Sequence, residues 1–291
     1  VLKTSSGKIR RAACRELYEK GLLGAAQRPV TLQLARLALG GALASARALA
    51  RLAGVLLYGA CAWLLLALLG VAGTAVLLVL PASRGRGWSR RVARAFVALS
   101  GIPVRVDGLQ HLAGALPAVV VTNHASYTDA ILLTAVLPEE PRFAAKAEFA
   151  RQPLLGSLMR RIGVRFVERA AALQAIEDAH AIARAVAAGE SPVLFPEGTF
   201  TRAPGLRAFH LGAFAAAAES RRPVVPVTLR GTRSVLRDGS WLPRRHAVEV
   251  IVHPPIFPRD TGWNEVLRLR DEARRAILAD CGEPDAAAQP R

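Results

Sequence analysis

The hydrophobic positions divide the chain into an apolar N-terminal part and a part built from short alternating runs. Residues 30–51 combine leucine and alanine with scattered arginines and predict a helix. Residues 52–83 follow without a charged side chain. Because about 20 apolar residues suffice for one membrane-spanning helix, this stretch holds one span with some excess but not two. Gly70 and Gly73 lie in its second half, where a bend costs little.

From Gly101 onward, short apolar runs alternate with amphipathic stretches. Strands are predicted over residues 104–107, 118–122, 142–145, 163–167, 192–195, 223–229 and 247–252. Helices are predicted over residues 128–136, 170–188 and 263–281. Alternation of this kind predicts an α/β domain with helices layered on a sheet. The last ten residues, 282–291, are expected to form a flexible tail.

Composition narrows the functional classes. With 52% hydrophobic and 21% charged residues, the chain is not intrinsically disordered. Three scattered cysteines exclude a disulfide scaffold, and no Cys/His spacing predicts zinc. A net charge of +17 favours an anionic partner, which leaves nucleic acid, an anionic membrane surface or phosphorylated substrates. The arginines are dispersed and no nucleic-acid motif is present, so a membrane-tethered nucleic-acid protein is only a rival hypothesis.

Both flanks of the apolar stretch are rich in arginine, so the positive-inside bias does not orient it. We expect residues 25–83 to form a membrane-associated helical segment. Its charge-free part is expected to be a re-entrant or interfacial helical hairpin, since this keeps both flanks in the cytosol. A single tilted span is the alternative. The expected location is the cytosolic face of the cell membrane, against anionic lipids.

The first candidate for chemistry follows the predicted strand 118–122. His124 is a side chain suited to accept a proton near neutral pH, and Asp129 can orient its ring. On a straight helix, two side chains five residues apart point in different directions. The side chains of His124 and Asp129 can still meet if His124 lies in the turn before the helix. No nucleophile elbow accompanies them, so the chemistry implied is base-assisted attack by a substrate hydroxyl.

The second candidate is the sequence FPEGTFTR at residues 195–202. Its glycine and threonine form a loop with backbone N–H groups suited to an anion, and Arg202 adds positive charge. The third block begins at Lys146, which is the one lysine after residue 20 in a chain that otherwise uses arginine. It continues through Glu148, Pro153, Gly156 and Gly163 to residue 169.

These blocks, with RPVVPV at residues 222–227, occur in the order and spacing of the glycerolipid acyltransferases, typified by 1-acylglycerol-3-phosphate acyltransferase. The resemblance covers roughly residues 85–280. It implies an α/β acyltransferase domain, over residues 84–281, behind a membrane-associated helical segment. It also implies transfer of an acyl group from acyl-CoA or acyl carrier protein to a lysophospholipid, with no bound cofactor and no metal.

The resemblance assigns roles residue by residue. It makes His124 the general base and Asp129 its orienting partner. A second set is expected to bind the acceptor's phosphate: Lys146, Arg169, Glu197, Gly198, Thr199 and Arg202. Phe200 stands where the type enzymes carry arginine, and His210 replaces a further cation. A different lyso-lipid acceptor therefore stays open, as does an inactive domain that serves as a membrane anchor.

The N-terminus carries a second resemblance. Residues 4–11, TSSGKIRR, resemble the C-terminal lysine motif of fatty-acyl-AMP ligases, in which the lysine at the position of Lys8 assists the reaction with ATP. We therefore expect residues 1–24 to be the tail of an upstream ligase in a longer polypeptide. Such a ligase is a candidate source of the acyl group.

Overall fold

The computed structural model describes residues 8–20, 30–137, 142–167 and 172–287. It divides the chain into two compact units, Val1–Gly54 and Val55–Arg291. The described helices are α1 (Arg11–Glu19), α2 (Val30–Val79), α3 (Ala82–Ser100), α4 (Gln110–Ala113), α5 (Asp129–Val136), α6 (Pro153–Arg161), α7 (Ala172–Ala187), α8 (Gly212–Ser220), α9 (Thr232–Val235) and α10 (Trp263–Asp280), with a 3₁₀ helix at Ala147–Arg151. The described strands are β1 (Val104–Asp107), β2 (Val119–Thr122), β3 (Arg142–Lys146), β4 (Arg165–Val167), β5 (Pro192–Leu194), β6 (Val224–Arg230) and β7 (Val248–Val252).

The first unit contains α1 and the beginning of α2. Two exposed ion pairs one helical turn apart, Arg15 with Glu19 and Glu16 with Lys20, support α1. Each contributes a few tenths of a kcal/mol, about 0.2–0.5. Residues 1–7 and 21–29 lie outside the described part, so the ligase-tail interpretation of residues 1–24 stays a prediction.

Helix α2 continues without interruption through Gly70 and Gly73, so the chain does not use these glycines for a bend. Gly73 instead permits close packing. A Cβ atom at this position would lie 3.2 Å from Val92 of α3, and the indole N–H of Trp88 donates to the Gly73 carbonyl at 2.9 Å. The chain turns before α3, next to Pro81. Residues 34–79 form the one helix of the described chain that is long and apolar enough to cross a membrane.

The strands form one sheet in the order β1-β7-β6-β2-β5-β3-β4. Every pairing is parallel except the antiparallel pair β6 and β7. β2 lies in the middle, and all four of its residues are buried, as expected for a β-branched run in a strand covered on both faces. The α/β fold class predicted from the sequence is confirmed.

Alternate residues of β2 face two separate cores, because successive side chains of a strand point to opposite faces. Val119 and Val121 pack into a core with α7, α8 and α10. Val120 packs into the other core, which includes Leu132 and Leu133 of α5. The central strand is therefore held from both sides, and the loop that leaves it starts from a rigid point.

Arginines of α3 are engaged inside the protein. The guanidinium groups of Arg90 and Arg94 donate to the carbonyls of Leu137 and Ala135 at the end of α5, the latter at 2.9 Å. Cations at a helix C-terminus satisfy its last carbonyls and complement its dipole. This part of the basic flank thus positions α5.

The tail predicted to be flexible from residue 282 is docked as far as it is described. The Glu283 carboxylate accepts from Arg233 at 2.6 Å and from the Gly205 amide at 2.7 Å. Asp285 pairs with Arg274 at 2.5 Å. In this structure partly buried ion pairs hold these residues, and the flexible tail over residues 282–291 stays a prediction. Residues 288–291 lie outside the described part.

Candidate active site

The two principal motif loops leave neighbouring parallel strands. His124 lies just after β2, and the loop that begins at Phe195 follows β5. β2 and β5 pair in parallel, with Val121 opposite Leu194. Their carboxyl ends therefore meet at one edge of the sheet, where open α/β sheets commonly bind ligands.

The structure brings His124 and Asp129 together. The imidazole Nδ1 lies 2.8 Å from Asp129 Oδ2. α5 begins at Asp129, so His124 lies in the turn before the helix, as the sequence argument required. Among the described residues, Nε2 of His124 has no hydrogen-bond partner, which leaves this nitrogen available to a substrate.

Asp129 is held in place by its own loop. Its carboxylate is fully buried, and Oδ2 also accepts the backbone N–H groups of Ala125 at 2.7 Å and Ser126 at 2.9 Å. These contacts hold the carboxylate facing Nδ1 of His124, so that an N–H on this nitrogen can donate to Asp129.

Glu197 joins the two motif loops. Its Oε1 accepts the backbone N–H of His124 at 2.7 Å, and its Oε2 accepts that of Arg207 at 2.9 Å. Burial raises the pKa of the Glu197 carboxyl above its usual value, while these two N–H donors act in the opposite direction. Both oxygens are engaged and the residue is only 3% exposed, so in this structure Glu197 links the two loops, and its contact with the acceptor stays a prediction.

Two aromatic rings pack against His124, and a third contacts one of them. Phe195 stacks on the imidazole with ring centres 4.1 Å apart, and Phe200 lies tilted at 4.3 Å. Tyr127 meets Phe200 edge to face, and its hydroxyl donates to Asp238 at 3.0 Å. In the sequence, Phe200 is notable only as a departure from a motif. No periodic pattern predicts that rings from separate loops gather around one histidine.

A large, mostly apolar cavity of about 890 Å³ opens at His124. Its size lies in the range of small-molecule sites. Helices α2, α3, α5 and α6 supply much of its wall; the lining residues include Leu66, Gly70, Leu77, Trp88, Val92, Phe96, Ile131, Thr134, Leu155 and Met159. Apolar walls of this extent match a hydrocarbon chain, with the reactive end at the imidazole.

The remaining predicted site residues separate into two groups. Gly198 and Thr199 line the cavity with His124, and Gly198 has a positive φ of 78°, a conformation that favours glycine. Arg202 does not line it and faces a different cleft. Lys146 ends β3 at the same sheet edge, but its side chain and all of Arg169 lie outside the described residues. In the described part of the chain, no group of three or more His, Cys, Asp or Glu side chains could hold a metal ion.

Similarity to known proteins agrees with this geometry. Residues 103–230 match the protein-family model Acyltransferase. The matched residues all lie in the second unit. Among curated relatives, the chloroplastic 1-acyl-sn-glycerol-3-phosphate acyltransferase BAT2 of Brassica napus is 33% identical over 174 residues, which cover 59% of this chain and 49% of that protein. The chloroplastic enzyme LPAT1 of Arabidopsis thaliana is 32% identical over 170 residues, covering 57% and 48%.

The alpha form of the same acyltransferase from Mus musculus is 28% identical over 184 residues, with 62% of this chain and 64% of that protein covered. The chain thus spans about half the length of the two plant relatives. The crystal structure of the 1-acyl-sn-glycerophosphate acyltransferase PlsC from Thermotoga maritima has a TM-score of 0.60 at 20% identity, covering 77% of this chain and 94% of that one. The domain therefore has the acyltransferase fold, and the relatives support the glycerolipid acyltransferase family predicted from the motifs.

Proposed function

We propose that the protein transfers a fatty acyl group from a thioester to the free hydroxyl of a lysophospholipid, with 1-acylglycerol-3-phosphate as the first candidate acceptor. The pairing of His124 with Asp129 at the mouth of a large apolar cavity carries this proposal. The names of the matched relatives support the choice of acceptor.

The chemistry needs one base and no acyl-enzyme. Nε2 of His124 takes the proton of the acceptor hydroxyl as its oxygen attacks the thioester carbonyl. The carbon–sulfur bond then breaks, and the thiolate leaves and takes a proton from the imidazolium. Asp129 stabilises that imidazolium through Nδ1. The acyl chain lies in the cavity throughout the reaction.

Membrane association follows from the same substrates, because the acceptor resides in a bilayer. Helix α2 exposes leucines along its length, including Leu57, Leu64 and Leu68. We propose that this helix holds the domain at the cytosolic face of the membrane, where a soluble CoA or carrier-protein thioester is available. The direct supply of acyl groups by an upstream ligase belongs to the same proposal.

The test is acyl transfer by the purified chain in detergent or vesicles, with labelled acyl-CoA or acyl carrier protein and a panel of lysophospholipids. His124→Ala should abolish transfer, whereas His180→Ala, an exposed histidine in α7, should retain it. Absence of transfer with either donor, in protein shown to be folded, would contradict the proposal and favour the inactive anchor.

A second acceptor is favoured by one observation. Phe200, an aromatic side chain, lies beside His124, and Arg202 faces away from the cavity. An acceptor whose headgroup needs no cation at this point fits that wall better than lysophosphatidic acid does. Transfer to another lysophospholipid but not to lysophosphatidic acid would identify this case, with the same dependence on His124.

A further inference from the structure

A second cleft, of about 430 Å³, lies apart from the cavity at His124. Five arginines and a histidine line it: Arg202, Arg233, Arg237, Arg244, Arg245 and His246. Its described lining contains no carboxylate residue. Concentrated positive charge in a concave site attracts a multiply charged anion more strongly than dispersed surface charge does.

Two of the arginines are fixed by internal contacts. Arg233 pairs with Glu283 at 2.6 Å, and Nε of Arg245 donates to the carbonyl of Gly101 at 2.7 Å. The structure describes no ion pair for Arg202, Arg237 or Arg244, whose side chains are exposed. The cleft thus combines a rigid frame with guanidinium groups that are available to a phosphate.

The cleft adjoins the active-site cavity through two loops. Phe200 lines the cavity, and Arg202 lines the cleft. Asp238 lines the cavity, and its neighbour Arg237 lines the cleft. Because an extended residue spans about 3.5 Å at most, both loops pass from one site to the other within a short distance. No residue lines both sites.

Because the cleft is separate from the cavity at His124, it suits only a substrate whose phosphates lie far from the reacting atoms. In the acceptor, the phosphate is on the glycerol carbon next to the reacting hydroxyl, so it must stay close to His124. In acyl-CoA, the pantetheine arm carries the nucleotide phosphates far from the thioester. The cleft lining also includes the half-buried, apolar side chain of Leu242, which suits a flat base.

We propose that this cleft binds the phosphorylated nucleotide of acyl-CoA, which makes CoA rather than an acyl carrier protein the donor. This inference rests on the proposed acyl transfer. A concave site of this size fits a small polyphosphate ligand, whereas a carrier protein would need a wide, open surface.

The test compares two pairs of substitutions in the full chain in detergent. Arg237→Gln with Arg244→Gln removes two cations of the cleft. Arg184→Gln with Arg275→Gln removes two exposed arginines that lie outside both sites, and so matches the change in charge. Initial rates are measured with palmitoyl-CoA and with palmitoyl-pantetheine, which lacks all phosphates, and lysophosphatidic acid as acceptor.

The preference for CoA is the ratio of kcat/KM for palmitoyl-CoA to kcat/KM for palmitoyl-pantetheine. We expect the double substitution Arg237→Gln with Arg244→Gln, the cleft pair, to lower this ratio by about tenfold or more. The control pair should leave that ratio unchanged. Calorimetric binding of free CoA to the His124→Ala chain gives a readout that does not need catalysis, and the cleft pair should weaken it by a similar factor. If no donor supports transfer, the proposed function fails, while the CoA titration still tests the cleft.

Other outcomes would overturn the inference. A higher KM for lysophosphatidic acid with an unchanged donor preference would assign the cleft to the acceptor headgroup. Weaker sedimentation with vesicles of phosphatidylglycerol, again with an unchanged donor preference, would assign it to the membrane surface. The proposal would also be contradicted if the cleft pair and the control pair had the same donor preference, or if free CoA did not bind.

Discussion

Glu197 and His124 are joined by a hydrogen bond of 2.7 Å from the backbone N–H of the histidine to the buried carboxylate. Since the same carboxylate also accepts from Arg207, it links the loop after β2 to the loop after β5. The position of the base therefore depends on a buried carboxylate of the neighbouring loop.

Glu197→Gln should lower the catalytic rate far more than it changes the stability of the fold. The amide offers one acceptor instead of two, but it also removes a charge whose burial is unfavourable, as the raised pKa indicates. We expect the free energy of unfolding in urea to change by no more than about 1 kcal/mol. The kcat should fall at least about tenfold with little change in KM, because the base is displaced. Glu219→Gln, at an exposed position of α8, is the control; equal kcat values for the two variants would contradict the positioning role.

Asp129→Asn should lower kcat by roughly 10²–10⁴-fold, because the amide neither holds the required tautomer nor stabilises the imidazolium. The KM for the acceptor should change little, because Asp129 does not line the cavity. A KM that rises as much as kcat falls would contradict this role. Asp271→Asn, on the exposed side of α10, should change neither quantity.

Gly70→Leu should shift the preference toward shorter acyl chains. Gly70 lines the cavity, and an added Cβ atom would have no heavy atom within 4 Å, so the new side chain can occupy cavity space without displacing the backbone. The ratio of kcat/KM for an 18-carbon donor to that for a 12-carbon donor should fall about tenfold or more. Gly54→Leu introduces the same side chain into α2 at an open position outside the cavity and should leave the ratio unchanged. Equal ratios in both variants would show that the acyl chain lies elsewhere.

Glu265 should contribute to acid sensitivity. Its hydrogen bonds with the Arg268 guanidinium, together with the backbone N–H of Arg259, lower the pKa of this carboxyl to about 2 although burial opposes the shift. A lowered pKa stabilises the fold above the ordinary value near 4.5, and this stability is lost as the pH falls from there toward 2. Thermal unfolding midpoints measured between pH 6 and pH 3 should therefore fall more steeply for the wild type than for Glu265→Gln.

At pH 6 the Gln variant should be less stable by about 1–3 kcal/mol, the usual contribution of a hydrogen bond to a charged group. Glu219→Gln should follow the wild type at both pH values. If the unfolding midpoints of the wild type and of Glu265→Gln fell equally with pH, Glu265 would not be a source of the acid sensitivity.

The strands that carry the site were predictable because their patterns are local. β2, β6 and β7 are apolar, β-branched runs between turn residues, and the structure places them within a residue or two of the expected bounds. α3 was missed. Its arginines suggested an exposed flank, although Arg90 and Arg94 use their guanidinium groups on the carbonyls of α5.

The sequence by itself determined the α/β class, the turn that places His124 ahead of Asp129, and the apolar helix, because each depends on residues close together in the chain. Only the tertiary structure decided the order of the strands, the engagement of Glu197, the aromatic rings around His124 and the separation of Arg202 from that site. These features depend on pairings and contacts between residues far apart in sequence, whose free energies are gained only when the whole sheet assembles.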